Sequence, residues 1–131
     1  MRKEHAEHNE KACDFLYKDG NFNDWVVTTA FYSAIHFVRH KIFPITKYNS
    51  QLGHDVTYQS LDQYVNHHDS ASDNKLKELR ILVEENISQI KGRYRWLSNL
   101  CHTSRYHNYK VSLKKAKLAR EHLKEIKQAC Q

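Results

Sequence analysis

Glycine is rare in this 131-residue chain, with three copies, and proline occurs once, as Pro44. That is too few turn formers for a β-sandwich, which needs a tight turn every few residues. No stretch approaches the roughly 20 consecutive apolar residues of a membrane span. The opening segment, MRKEHAEHNEK, is polar from its first residue, which argues against a signal peptide. Cysteine is scarce, odd in number and widely spaced (Cys13, Cys101, Cys130), so a disulfide framework is not expected. These absences point to a cytoplasmic protein with reduced thiols and no membrane partner. Acidic charge is nearly missing from the C-terminal third. From Lys91 onward eleven lysines and arginines face two glutamates, within a chain of net charge +6. Such a balance favours polyanionic partners, RNA or nucleotide phosphates among them.

What the chain has in quantity is helical periodicity. A single domain over residues 1–131 is expected, large enough to bury about two-thirds of its unfolded surface. A first helix over about Arg2–Lys18 places Ala6, Asn9, Ala12 or Cys13, and Leu16 on one side, and Asp19-Gly20 stops it. Asn21 or Asn23 can cap a second helix, about Asp24–Ile42, with Asp24 in its first turn. That helix is apolar almost all round, from Trp25 through Phe31, Tyr32 and Ile35 to Val38, and Pro44 closes it. Trp25, Phe31, Ile35, Val83, Ile90 and Leu97 are expected in the core. So little polar surface on the second helix predicts a central position or cover from a second subunit, hence a homodimer.

Residues 45–53 read as a loop and Asp55–Asn66 as a short helix with Val56, Leu61 and Val65 inside. The run HHDSASDN reads as linker, with Ser72 or Asp73 as the next cap. Leu76, Val83, Ile90 and Leu97 then recur every seven residues, with Leu79, Ile87, Tyr94 and Cys101 beside them. The pattern predicts one helix of roughly 26 residues, about 39 Å long, in which Gly92 marks a bend. Ser112 caps a last helix with Leu113, Ala116, Ala119, Leu123, Ile126 and Cys130 as its inner stripe. No strand pattern competes. The expected fold is all-α, an antiparallel up-and-down bundle of four long helices and one short one.

The densest chemistry lies in Gly92–Ser112, GRYRWLSNLCHTSRYHNYKVS. Arg95 and His102 are seven apart, two helical turns, so one continuous helix puts both on one face with Lys91 and Ser98, and Arg105 at the margin. A guanidinium and an imidazole beside Tyr and Asn can hold a phosphate and move a proton. The alternative is a solvated helix end running into a Tyr-rich loop packed on the core. His36 and His40 have the spacing of a helical metal pair, but Phe37 follows His36 where a zinc protease has its glutamate. No third ligand is placed, so no metal and no cofactor are implied. Cys101 continues the core stripe and reads as buried and inert. His102 points about 100° away from it and makes a poor base for it.

The second helix, DWVVTTAFYSAIHFVRH, closely resembles the DWAVxxAYYAALHxV helix of prokaryotic HEPN-domain proteins. The likeness continues in order through His54 in the following loop, a long amphipathic helix, the SRYHNYKVS turn and a final Ala/Leu helix. It spans about Asn9 to Ile126. The resemblance implies an antiparallel helical bundle that assembles as a dimer. It also implies one of two activities: a metal-independent RNase (a toxin or defence effector), or a non-catalytic module that docks a nucleotide or a cognate partner protein. The family's RNase signature is an Arg, a short spacer and a His near the end of the long helix. Arg95 and His102 enclose six residues, a permitted spacer. With the SRYHNY turn laid on the family's turn, the arginine position instead falls on Cys101, and the histidine position on Tyr106 or His107. The resemblance therefore leaves three arrangements open: Arg95 with His102 as the catalytic pair; a site rebuilt around His102, Arg105 and His107; or no activity. Arg105, Tyr106, His107, Asn108 and Tyr109 are the implied substrate- and phosphate-binding residues.

Overall fold

The computed structural model describes residues 2–67 and 74–131. The elements run α1 (Arg2–Asp19), α2 (Asn23–Ile42), β1 (Ile45–Asn49), β2 (His54–Tyr58), α3 (Leu61–His67), α4 (Lys75–Asn86), a 3-10 turn (Ser88–Ile90), α5 (Lys91–Tyr106) and α6 (Leu113–Ala129). The chain is thus predominantly helical, with six α-helices and one small sheet among the described residues rather than five helices alone.

α1 stops where expected. Gly20 takes φ 84°, a region glycine enters without steric penalty, and its N–H donates to the Leu16 carbonyl at 3.2 Å. α2 begins without the expected side-chain cap, because Phe22 occupies the capping position. Asn23 Nδ2 instead donates to the Val111 carbonyl at 3.1 Å, tying the start of α2 to the loop before α6. Eleven of the twenty residues of α2 are buried, and α1, α5 and α6 all pack against it. Polar bonds fix α1 to it, among them Ser33 Oγ donating to the Ala6 carbonyl at 2.7 Å and Cys13 Sγ to the Val26 carbonyl at 3.4 Å. The apolar residues of α2 are therefore largely covered inside one chain.

Trp25 and Tyr32 are exceptions, and Trp25 corrects the expected core. It is 48% exposed, whereas Phe31, Ile35, Val83, Ile90 and Leu97 are buried. Trp25, Thr29, Tyr32, His36 and Arg39 recur at helical spacing on one face of α2, and none of them is buried. That face is the one the neighbouring helices cover least.

The segment after Pro44 departs most from expectation. Residues 45–49 are a strand rather than loop, and the expected helix from Asp55 is a second strand followed by the shorter α3. β1 and β2 pair antiparallel, with Ile45 opposite Tyr58 and Asn49 opposite His54. Asn49 is buried and organises the turn. Its Oδ1 accepts from the Gln51 and Leu52 N–H groups at 3.0 and 3.1 Å, and its Nδ2 donates to Tyr58 Oη at 3.3 Å. Gly53 completes the turn at φ 73°. The β-branched and aromatic residues that pair here (Ile45, Thr46, Tyr48, Val56, Thr57, Tyr58) favour a pleated strand. Val56 belongs to that strand, and only Leu61 and Val65 belong to the helix.

The long helix is also divided. α4 ends at Asn86, and Ile87 (φ −134°, ψ 55°) leaves helical geometry before the 3-10 turn and α5. Asn86 Nδ2 donates to the Leu82 carbonyl at 2.8 Å, a local bond that competes with helix continuation. The break thus lies upstream of Gly92, which sits in the first turn of α5. The heptad pattern still does its packing work across the break: Leu79, Val83, Ile87, Ile90, Tyr94, Leu97 and Cys101 are all buried, while Leu76 is exposed. Asn74 caps α4, accepting from Lys77 N–H at 3.1 Å; the expected caps Ser72 and Asp73 lie outside the described residues. Ser112 caps α6 as expected, at 3.1 Å from Lys115 N–H. Asp14–Arg120 and Glu10–Lys127, both at 3.0 Å, then join α1 to α6.

Candidate functional site

Because α5 runs unbroken from Lys91 to Tyr106, Arg95 and His102 do stand on one helix face. Two turns separate them by about 10.5 Å along the axis. Their surroundings differ. Arg95 forms an ion pair with Glu84 of α4, and Glu84, Lys91, Gly92 and Arg95 line a shallow cavity of about 240 Å³. His102 belongs to a second group at the C-terminal end of α5. Its exposed ring lies 5.0 Å from that of Tyr106 and 5.5 Å from that of His107.

Arg105 connects this group to the bundle. Its guanidinium donates to the hydroxyl of Tyr32 on α2 and sits 5.7 Å from the ring centroids of both Tyr32 and Tyr106. A cation between two electron-rich ring faces is attracted to both and keeps unused donors turned to solvent. Tyr106 and Tyr109 are each 67% exposed. Asn108 uses its side-chain oxygen locally, accepting from Lys110 N–H at 2.9 Å, which shapes the turn. The fold therefore brings His102, Arg105, Tyr106 and His107 together, leaves Asn108 and Tyr109 exposed on the adjoining turn, and separates Arg95 from them.

Cys101, next to His102 in sequence, is buried. Its thiol approaches Thr28 Oγ1 at 4.0 Å, and burial pushes its pKa up despite that contact and the Arg105 charge. A thiol held neutral is a poor nucleophile.

Tyr32 is a neighbour of the His102 group that residue type alone did not point to, since it counted among the apolar residues of α2. The signal was available in the spacing. Thr29 and His36 share its face, and a stripe that mixes Trp and Tyr with Thr and His is a wet face of an otherwise apolar helix. The other end of that stripe holds a second basic group, also missed. His36 Nδ1 lies 3.2 Å from Arg2 Nη1, and the His36 and His5 rings stack at 3.7 Å with 20° between their planes. Burial, with the charges of His5, Arg2 and Arg39 behind it, lowers the His36 pKa from 6.5 to about 4. The imidazole is therefore neutral near pH 7. Since a guanidinium can only donate, Nδ1 is the accepting nitrogen. His36 is thus engaged by Arg2 and His5, and among the described residues no three His, Cys, Asp or Glu side chains cluster as metal ligands. No helix among them is long and apolar enough to cross a membrane.

Comparisons with protein-family models, with curated proteins and with solved structures find no match for this chain.

Proposed function

We propose that this is a HEPN-like helical protein that binds RNA or nucleotide phosphates at the C-terminal end of α5. The observation that carries the reading is the exposed grouping of His102, Arg105, Tyr106 and His107, braced by Tyr32. Arg105 supplies charge-assisted donors for a phosphate. Tyr106 and Tyr109 present open ring faces on which a splayed base can stack. The basic bias of α5 and α6 supplies the long-range attraction that such contacts need.

The same grouping supports metal-independent RNase chemistry. An imidazole both takes up and releases protons near neutral pH. In the proposed reaction His102 removes the 2′-hydroxyl proton, and the 2′-oxygen attacks the adjacent phosphorus. The bond to the 5′-oxygen breaks, and a histidine returns a proton to that leaving oxygen. The products are a 2′,3′-cyclic phosphate and a free 5′-hydroxyl. Arg105 neutralises the extra charge of the transition state, and His107, its ring 5.5 Å from that of His102, serves as the second proton carrier. Arg95 pairs with Glu84 through Nη2, an exposed pair of the kind worth about 1 kcal/mol or less, so it can turn towards a phosphate at little cost. A two-fold homodimer that brings two α5 ends together accords with this reading. The exposed Phe22, Trp25 and Tyr32 on the open side of α2 provide apolar area for it.

The test is incubation of wild type and His102→Ala with structured RNA in EDTA, together with filter binding. Cleavage by the wild type that the variant loses supports the nuclease. Equal binding without cleavage in both leaves a non-catalytic docking module, and absence of binding in both removes the proposal. Light scattering that returns a mass near 15.6 kDa at micromolar concentration removes the dimer.

A further inference from the structure

At the far end of the wet face of α2, three segments enclose a cavity of about 200 Å³. Arg2 comes from α1, Arg39, His40 and Phe43 from the end of α2, and Ser60 and Leu61 from the start of α3. Two features make it more than a crevice. The first is that Arg39 Nε and Nη2 are buried and have no hydrogen-bond partner among the described residues. A buried guanidinium N–H without an acceptor costs about 1–3 kcal/mol or more, so native proteins seldom leave two on one side chain. The second is that the described residues of its wall include two guanidinium groups and no carboxylate. Asp62, a carboxylate whose charge reaches Arg39, is engaged at 2.8 Å by Lys75.

The arginines are also held in place. Arg2 is fixed by its bond to the neutral Nδ1 of His36, whose ring is itself stacked on His5. Burial and the Arg2 charge together push the Arg39 pKa below its ordinary value, while Asp62 and Tyr94 act in the opposite sense. An anion between the two arginines would relieve their like-charge repulsion, and the Arg39 donors would reach it once its guanidinium turns towards the cavity. Phosphate suits them because guanidinium groups grip its oxygens two at a time. At about 200 Å³ the cavity is smaller than the roughly 300–1,000 Å³ of whole-ligand pockets, so it fits a phosphate and the atoms next to it.

We infer that this cavity is a phosphate-monoester site in which Arg2 and Arg39 grip the phosphate and His40 and Ser60 flank it. It is distinct from the His102 grouping and does not depend on the RNA reading of that end. The phosphate could belong to a small metabolite or to the phosphorylated end of a nucleic acid, since the recognised group is the same.

The experiment uses the full chain at constant ionic strength, with titration calorimetry and thermal unfolding as readouts. The probes are inorganic phosphate, with chloride as control, and a short oligoribonucleotide carrying either a 5′-phosphate or a 5′-hydroxyl. Phosphate binding that falls at least tenfold in Arg39→Gln and in Arg2→Gln, while His102→Ala keeps it, supports the site. Arg2→Gln lies at the end of α1 and guards against a folding defect at Arg39. A preference for the 5′-phosphate oligonucleotide that both variants lose assigns a nucleic-acid end. Binding of phosphate without that preference assigns a small phosphate ester. The inference is overturned if neither probe discriminates phosphate from its control, or if both glutamine variants bind as the wild type does.

Discussion

Arg105, near the end of α5, donates to the hydroxyl of Tyr32 in the middle of α2, across 73 residues of sequence. The bond joins a basic helix end to the open face of the most apolar helix. It also stacks the guanidinium against an aromatic ring that the core would otherwise have been expected to claim. An exposed pair of this kind contributes little to folding, about 1 kcal/mol or less. Arg105→Ala is therefore expected to leave the melting temperature within a few degrees of wild type, yet to weaken RNA binding. The slope of log affinity against log salt should fall by about one, as it does when one phosphate contact is lost. Tyr32→Phe, which keeps the ring and removes the acceptor, should fall between the two. An unchanged salt slope for Arg105→Ala would place the phosphate contact elsewhere.

His36 makes stability depend on pH in a defined direction. Its folded-state pKa is depressed, from 6.5 to about 4. The unfolded chain therefore binds the proton first, and stability present above pH 6.5 drains away as the pH falls towards 4. A shift of that size corresponds to roughly 3 kcal/mol at full burial. His36 is only partly buried, so solvent screening reduces the expected loss to about 1–2 kcal/mol. Urea unfolding at pH 7 and pH 4.5 measures it. The loss between those pH values should be smaller in His36→Gln than in wild type, and equal losses would show that His36 is not the group responsible.

Tyr94 is buried, with its hydroxyl unpartnered among the described residues, and burial drives its pKa upward. Removing an unsatisfied polar atom while keeping the ring is nearly neutral or stabilising. Tyr94→Phe should therefore raise stability or leave it within about 0.5 kcal/mol. Tyr94→Ala should lower it by about 3–5 kcal/mol, because a ring packed 5.6 Å from Phe31 leaves a cavity. A loss above 1 kcal/mol in Tyr94→Phe would reveal a partner for the hydroxyl, such as bound water.

The three thiols should be slow to react in the folded protein. Cys13, Cys101 and Cys130 are all buried, and burial pushes the pKa of Cys13 and of Cys130 to about 11. At pH 8 a chromogenic disulfide should label less than one thiol per chain within minutes and all three once the chain is unfolded. Rapid labelling of one thiol in the native protein would mark a reactive cysteine and reopen Cys101 as a nucleophile.

Much of the fold can be read from the chain because its helices bury regular stripes. Val83, Ile90 and Leu97 lie where a seven-residue repeat places them, with Leu79 and Cys101 beside them, and Ala116, Ala119, Leu123 and Ile126 lie where a helical period does. Gly20 and Ser112 mark their helix ends by local chemistry alone. The hairpin was not legible, because Leu61 and Val65 are spaced as on a helix and Val56 reads as an earlier residue of the same segment. Its turn is organised by Asn49, whose contacts with Tyr58 and with the His67 carbonyl exist only after folding. The break at Ile87 was hidden for a related reason: the buried residues on either side keep one periodicity although the backbone does not.

Composition and periodicity by themselves determined a basic, mostly helical chain without a membrane-spanning stripe, and a candidate segment rich in Arg, His and Tyr near residue 100. Periodicity can do this because it encodes which face of a segment meets the core. It cannot encode what lies across from that face. Only the tertiary structure decided that Trp25 faces outward, that Arg95 is engaged by Glu84 rather than grouped with His102, and that Tyr32 receives Arg105. The same holds for Arg2, Arg39 and Ser60, which come from three separate segments. Their meeting depends on how α1 and the α3 junction dock on the end of α2, a relationship between elements that no spacing within one element records.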